Sequence, residues 1–531
     1  LAILGYESSE NDIIYIMTFS PIQLFARLVM SSWVISILFP SMCLWITWRL
    51  WRFTLLPALR GDDIKELPYW IPAPHTHRSY FGNSRRTFLV TVATQKIYVM
   101  TSTINVASAL RSMDTYDYSA PIMTIMGQFG ISRDGLKILR EKPTGIPLKG
   151  TAINATNSSK SIYEIGEICL KQQLKPGKLY DDFEAVFLGG IDGRMRLDSF
   201  PPKALLSQTT NSPPTYTVSL LELVRRTVVE STTVAFLGAA ILRVDPTIVD
   251  TFLIFDDTIW MMLYNVPRPW SSEMLAAKKK LLDSVHAYLE LPRDQRPNAS
   301  WLATTLETEN SDRGVSKRDT AVWLTMLYWT FNTNTWRLCF WVVAYVLHDP
   351  IVFKAISDEV LPLAQNYESL SALHSDLSHC NRLNSLYHEV IRLVDSPISI
   401  RKTTRPTTTA LGEDLPAGAF LMLVHRELML DEEVWGSDAA SFNPERFLDN
   451  GALLRSKSYT PFGGGPMLCP GRFMARGRSW SFWLCSFRAS RSRCSLLSRS
   501  RVWIRKLELD KVYLAPNMGM IFCFRYPRLR R

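Results

Sequence analysis

One apolar run near the start of the chain stands apart from everything after it. Leu28 to Trp48 reads LVMSSWVISILFPSMCLWITW, 21 residues without a charge. At about 1.5 Å of rise per residue it spans a hydrocarbon core of ~30 Å, and so predicts a transmembrane anchor helix with a kink at Pro40. Arg49, Arg52 and Arg60 follow the run and only Arg27 closely precedes it. By the positive-inside tendency this leaves the bulk of the chain in the cytosol and the sequons at Asn154, Asn157 and Asn298 unglycosylated. A cleaved signal peptide is the alternative. The run is longer than a signal core, and Trp-Arg-Leu-Trp-Arg after it is a poor cleavage site.

Beyond the run the pattern turns periodic. LPYWIP (Leu67 to Pro72) is a Pro-bounded linker. Thr87–Thr101, rich in Val, Thr and Tyr, predicts a strand pair with a turn near Ala93–Gln95. Residues 150–315 give mostly broken helical patterns separated by Pro and Gly. Strong helical periodicity then occupies about 317–348, 350–365 and 376–394, and a Pro- and Gly-punctuated region follows from 396 to 470. No internal repeat is visible. The fold class expected is mainly α with a small β region behind one N-terminal transmembrane helix. The expected divisions are an extension over 1–27, the anchor over 28–48, a basic, Pro-rich linker over 49–72 and one catalytic domain over 73–531. Within the extension, Met17 stands shortly before the apolar run and residues 1–16 read as lying upstream of the natural start.

Composition changes this picture little. The 531 residues allow a large core, and 47% hydrophobic with 21% charged residues is a globular balance. Sixteen Trp suit a lipophilic interior or ligand. The net charge of +11 suits nucleic acid, an anionic membrane surface or an acidic protein. No zinc-finger spacing, RNA-recognition signature or lysine-rich tail is present, so nucleic acid is not expected as a partner. The eight cysteines are scattered and form no C-x-x-C pair. That spacing argues against a disulfide framework or a zinc site and fits a reducing compartment.

The sharpest chemical signal is Pro461-Phe-Gly-Gly-Gly-Pro-Met-Leu-Cys469-Pro-Gly-Arg472. Three glycines, Gly463 to Gly465, permit a tight loop with positive φ. Such a loop can aim amide N–H groups at the sulfur of Cys469, and amide donors, like a cationic iron, favour a thiolate. Pro470 and Gly471 then let the chain enter a helix whose N-terminal dipole also favours negative charge. A thiolate behind haem iron pushes electron density toward bound oxygen and favours O–O cleavage. An ordinary Gly-rich turn with a buried Cys is the bland alternative for G-G-G alone. It fits F-x-x-G-x-x-x-C-x-G poorly.

With this motif the chain resembles the cytochrome P450 superfamily, over about residues 65 to 475. The F-G-G-G-x-x-x-C-P-G-R form resembles fungal members related to the sterol 7α-hydroxylase and prostacyclin synthase branch. The resemblance implies haem b with Cys469 as axial ligand, and Phe462, Gly465 and Arg472 at the cofactor. It implies electrons from NADPH through NADPH-cytochrome P450 reductase, which a basic chain suits. It also implies a lipophilic terpenoid, steroid-like or polyketide substrate, fungal secondary metabolism, and a single pass through the endoplasmic reticulum membrane with the catalytic domain cytosolic.

Further residues follow from the resemblance. Glu389 and Arg392, three apart in LYHEVIRL, share a helix face. Alone they read as a surface ion pair. With FNPERF (Phe442 to Phe447) before Cys469, the resemblance implies a structural network of Glu389, Arg392 and Arg446. It implies a haem propionate contact for Arg401, with a solvated Arg as the alternative, and His425 as a second candidate. Tyr328 to Trp341, YWTFNTNTWRLCFW, occupies the stretch where the family carries an acid and an alcohol that deliver protons to bound oxygen. Here no carboxylate is present, and Asn334 and Thr335 are the expected oxygen-side residues. Both can hold a water chain but are poor acids. A polar face of a buried helix is the alternative. Met467 replaces the Arg or His that many members use on a propionate.

Residues 475–506, ARGRSWSFWLCSFRASRSRCSLLSRSRVWIRK, depart from the family's long apolar helix. Many Arg and Ser interrupt any helical stripe, and a buried unpaired Arg is costly. A frame or splice error or a diverged, exposed helix accounts for it. Two other functions stay open: an electron-independent isomerase or dehydratase, and a non-catalytic product of a damaged gene.

Overall fold

The structure is a computed structural model that describes residues 32–60, 64–67, 85–92, 95–142, 159–195, 201–208, 216–365 and 375–480. Outside them lie the extension 1–27, the first four residues of the apolar run, most of the LPYWIP linker, residues 93–94 of the expected turn, Asn154, Asn157 and residues 481–506.

The chain divides into two compact units, the smaller taking residues up to Asn83 together with Phe88–Thr94. In it helix α1 (Ser32–Leu50) contains Pro40 and runs on through a π-helical turn, Trp51–Leu55. Strand β1 (Glu66–Leu67) pairs in parallel with β2 (Phe88–Val92), and Arg52 reaches Glu66 at 2.6 Å. The large apolar side chains Ile37, Leu38, Phe39, Met42, Leu44, Trp45 and Trp48 are exposed. Among the described residues no single helix is long and apolar enough to cross a membrane; one pair, Lys317–His348 with Pro350–Leu363, passes by length and composition but is bent by 110°.

The larger unit is mainly helical, with one larger sheet and two short hairpins, β5 (Leu205–Gln208) with β6 (Tyr216–Val218) and β8 (Thr407–Thr408) with β9 (Asp414–Leu415). Helices of eight or more residues are α2 (Thr103–Arg111), α3 (Ser119–Phe129), α4 (Arg133–Arg140), α5 (Ile162–Leu174), α6 (Lys178–Arg194), α7 (Leu220–Leu237), α8 (Ile248–Thr258), α9 (Arg268–Glu290), α10 (Trp301–Asp312), α11 (Lys317–His348), α12 (Pro350–Gln365) and α13 (Asn381–Val394). The helical patterns read over 150–315 as broken by Pro and Gly are α5 to α10, of which α9 is kinked at Ser271 (φ −106°, ψ 15°). Some of the Gly and Pro residues of this region sit at helix ends, Gly177 at the start of α6, Gly238 at the end of α7 and Pro267 at the start of α9, while Gly166 lies within α5 and Gly189, Gly190 and Gly193 within α6. Breakers at boundaries punctuate helices rather than prevent them.

The core is centred on α11. Asp319 in its first turn accepts from Ser132 N, Ser132 Oγ and Ser316 Oγ at 2.7 to 2.8 Å, a carboxylate placed where the helix dipole favours it. The helix ends where Asp349, extended at φ −114° and ψ 113°, precedes Pro350. Phe236 of α7 meets Phe331 edge-on at 5.0 Å, and Phe252 of α8 lies 4.9 Å from Tyr328. The long helical runs expected at 317–348 and 350–365 are present with those bounds; the third begins at Asn381 because Cys380 is extended.

In this unit β3 (Gln95–Met100), β10 (Phe420–Val424), β7 (Ile398–Thr403) and β4 (Tyr116–Asp117) lie side by side in that order. Strand β10 runs parallel to β3 and antiparallel to β7. Leu421 and Arg401 are register partners, and both are buried. The two strands expected between Thr87 and Thr101 are thus present as β2 and β3. After Cys469, residues 472–480 are helical, up to the last described residue. Arg478 is fully buried there, which corrects the expectation of an exposed helix for this part. Its Nη1 donates to Thr232 Oγ1 at 2.9 Å and its guanidinium lies 3.9 Å from the Phe187 ring, while Nε and Nη2 find no partner. Burial pulls its pKa down to about 10.

Candidate active site

A buried ionic network ties the end of α13 to the segment leading into the cysteine loop. Glu389 and Arg392 are one helical turn apart and fully buried, so each must be paired. Arg392 Nε and Nη2 donate to the two Glu389 oxygens, each at 2.8 Å, and Arg446 Nε sits 3.2 Å from both. The Asn443 amide also donates to Glu389 at 3.0 Å. The remaining donors close on backbone: Arg392 Nη1 on Met429 and Ala439, Arg446 Nη1 on Trp435. Asp438 takes Arg446 Nη1 at 3.0 Å and Nη2 at 2.8 Å, which holds its carboxyl below the usual range. All three residues expected to meet do meet.

From there the chain enters the glycine loop. Tyr459 donates to or accepts from His388 Nδ1 at 2.8 Å, and its ring packs on Phe447 and Trp435. Gly463 and Gly465 have φ of +73° and +64°, and a Cβ on Gly465 would fall 2.2 Å from the Leu110 carbonyl oxygen. Only glycine fits there. The loop closes when Cys469 N donates to Phe462 O at 3.0 Å. Cys469 thus stands at the head of the 472–480 helix, with Arg472 Nη1 on its carbonyl at 3.1 Å. Burial pushes the Cys469 thiol up to about 11; the Gly471 amide, donating to the sulfur, and nearby Arg472 pull the other way, while Asp395 adds to the rise. Protein alone does not make this sulfur anionic at neutral pH; a bound cation does. Phe462 packs on the main core beside the loop.

Two basic residues flank the site differently. Arg401 on β7 is buried; its Nη1 donates to Ile400 O at 2.8 Å, and its Nε is buried without a partner. Among the described residues it makes no ion pair, and burial lowers its pKa. A buried guanidinium without a carboxylate is the arrangement an incoming carboxylate satisfies. His425, the second propionate candidate, is committed elsewhere: Nε2 meets Ser399 Oγ and Nδ1 meets Thr460 Oγ1, both at 2.9 Å. Burial, helped by Arg401, brings it down to about 3, so it is a neutral bridge between β7 and the loop and no propionate partner.

Along α11 every residue from Asp319 to Val346 is buried except Met326, Thr330, Asn334 and Arg337. These spacings of four, four and three put them on one stripe of the helix. Beside it, on one flank, Trp329 and Trp336 bind Asp256 of α8, which Arg337 of the stripe also reaches. On the other, Phe331 packs on α7 and Cys339 meets Ser479 at 3.9 Å. Asn334 is on the accessible stripe and its buried Oδ1 lacks a partner. Thr335 is buried on the far flank and its hydroxyl donates to Phe331 O at 2.8 Å. The sequence did not single out Asp256, although a carboxylate pair inside TFLIFDDTIW is a visible anomaly in an apolar run.

These residues suit a haem: one thiol at a helix head, a glycine cradle, a buried cation lacking an anion and an accessible polar stripe on the central helix. A cytochrome P450 family model matches residues 230–479. Indoleacetaldoxime dehydratase of Arabidopsis thaliana is 26% identical over 37% of this chain and 40% of that protein. A cytochrome P450 monooxygenase of Gibberella zeae is 32% identical over 28% of this chain and 31% of its own, and cytochrome P450 monooxygenase fsoE of Humicola fuscoatra is 25% identical over 53% and 55%. The chain thus spans about a third to just over half of these relatives. Among solved structures, retinoic acid bound cyanobacterial CYP120A1 shares the fold with a TM-score of 0.58 at 15% identity, over 80% of this chain and 90% of that one. The glycine loop and Cys469, the buried Glu389 network and these matches together support a place in the cytochrome P450 superfamily, whose family model covers residues 230–479.

Proposed function

We propose that the protein is a haem-thiolate monooxygenase acting on a lipophilic small molecule, with Cys469 as the residue that would hold the haem iron. The observation that carries this is the Cys469 loop, closed on Phe462, braced by the Glu389 network and set at a helix head. When bound, the haem supplies oxygen activation. The chain's residues do the rest. The Gly471 amide and Arg472 temper charge on the Cys469 sulfur. Arg401 offers a buried guanidinium to a haem carboxylate. Asn334, with Thr330 a turn away, orders water and holds protons along the accessible stripe of α11. Electrons come from NADPH through a reductase, whose acidic surface the +11 charge complements.

The exposed apolar side chains of α1 support membrane attachment, with the catalytic unit on the cytosolic side of the endoplasmic reticulum. The F-G-G-G-x-x-x-C-P-G-R form of the cysteine loop is the basis for proposing a place in fungal secondary metabolism, with terpenoid, steroid-like or polyketide substrates.

A reduced carbon-monoxide difference spectrum tests the reading. The wild-type protein is expected to show the thiolate-type Soret shift and Cys469→Ala to lose it. A folded wild-type protein without that shift overturns the proposal. Dehydration without external electrons is the second reading. The lack of a carboxylate in residues 328–341 favours it, as does the relative named as a dehydratase. Full turnover without NADPH decides for it.

A further inference from the structure

Asp256 is a second carboxylate held inside the helical core, by three side-chain donors. Its side chain is fully buried. It accepts from the indole N–H of Trp329 at 3.2 Å, from that of Trp336 at 3.1 Å and from Arg337 Nη1 at 2.7 Å. Positions 329 and 336 are two turns apart on one face of α11, so α8 is pinned at a single point to a long stretch of the central helix. Arg337 also donates to Thr333 Oγ1 at 2.9 Å and to the Thr333 carbonyl. The chain of contacts runs from Asp256 through Arg337 to Thr333, the residue before Asn334. On the surface side the charges continue: Asp257 pairs with Arg225, Arg225 and Arg226 with Glu222, and Arg226 with Asp250.

Burying a carboxylate is costly unless every oxygen is satisfied. A pin between two helices needs no charge, since packed apolar side chains serve as well. What the charge adds is a fixed position for Arg337, the last member of the accessible stripe and 18% exposed. The stripe has no carboxylate of its own. We infer that Asp256 is a positioning residue for the oxygen side: through Arg337 and Thr333 it fixes the turn of α11 that carries Asn334, and it supplies from α8 the carboxylate which that turn lacks. The inference rests on the monooxygenase reading. Without this hold the Asn334 turn no longer orders its water, and electrons that should drive substrate oxidation leave as hydrogen peroxide.

The test uses the holoenzyme with a reductase and NADPH. Asp256→Asn keeps the volume of the side chain, removes the charge and leaves one acceptor oxygen where Asp256 has two. Its haem content and carbon-monoxide spectrum are expected to match wild type, while the fraction of NADPH electrons recovered as peroxide rises by about tenfold, the ratio for losing one hydrogen bond to a charged group. The ferric Soret band, read without turnover, is expected to shift with the displaced water. Asp256→Glu is expected to restore both readouts in part, while Trp329→Phe and Trp336→Phe, which spare the Asp256–Arg337 pair, leave them near wild type. An unchanged peroxide fraction and Soret position in Asp256→Asn overturn the inference, as does an equal effect from the Trp variants. If Asp256→Asn does not retain haem, Arg337→Gln in the same assay decides on the same terms. A wild-type protein without the thiolate band overturns the parent reading and this inference with it, whereas a normal band with unchanged readouts overturns this inference alone.

Discussion

Glu389 makes the energetics of single residues concrete. It is fully buried, and its two oxygens hold two guanidinium groups and one backbone amide. Removing one partner of a buried ion pair leaves an uncompensated charge, which costs about 3–5 kcal/mol. Glu389→Gln is therefore expected to lower the denaturant midpoint strongly and reduce haem retention; a change within the error of the melt refutes the role. His425 gives a prediction in pH. Its folded pKa, about 3, lies below the ordinary value of 6.5. The unfolded chain then binds more protons between those values, so the contribution is complete above pH 6.5 and is lost as pH falls toward 3. His388, buried and brought down to about 4, acts in the same direction. Urea unfolding across that window is expected to show falling stability, with a shallower slope in His425→Gln. The Cys469 loop and the network of Glu389, Arg392 and Arg446 were legible in the sequence because their motifs are local and ordered. Asp256 was not, because its partners lie more than seventy residues away and nothing short-range marks them. Asn334 and Thr335 were legible as a pair, but only the helix phase shows that one has access and the other is turned away.

At the scale of elements, α11 and α12 could be read to the residue because a long run free of Gly and Pro extends up to Asp349-Pro350, where one helix ends and the next begins. The helices between 150 and 315 were blurred because Gly and Pro at their caps resemble breaks in their interiors. The helix after Cys469 carries its own prediction. Arg478 is buried among Phe183, Phe187 and Thr232 with two nitrogens unpartnered. The nearby Glu184 carboxyl, pushed up to about 7 by burial, is a poor counter-ion at neutral pH. Replacing a buried charge by an apolar side chain of similar volume is neutral or stabilising by about 1–4 kcal/mol. Arg478→Met is therefore expected to raise the melting temperature; a fall of several degrees shows that the guanidinium is needed.

For the whole molecule, the fold class followed from the balance of helical and strand periods, whereas the sheet order did not. Strand β3, near residue 97, runs alongside β10, near residue 420, and no local signal links two strands more than three hundred residues apart. That pairing has a consequence for how the protein is made. At about 5–20 residues per second of synthesis, β3 waits tens of seconds for its partner to be translated. Until then its edge is open, and an unpaired edge invites association with other chains. Nascent chains that stop before β10 are thus expected to need chaperones, and slowing translation between the two strands is expected to lower the yield of soluble protein.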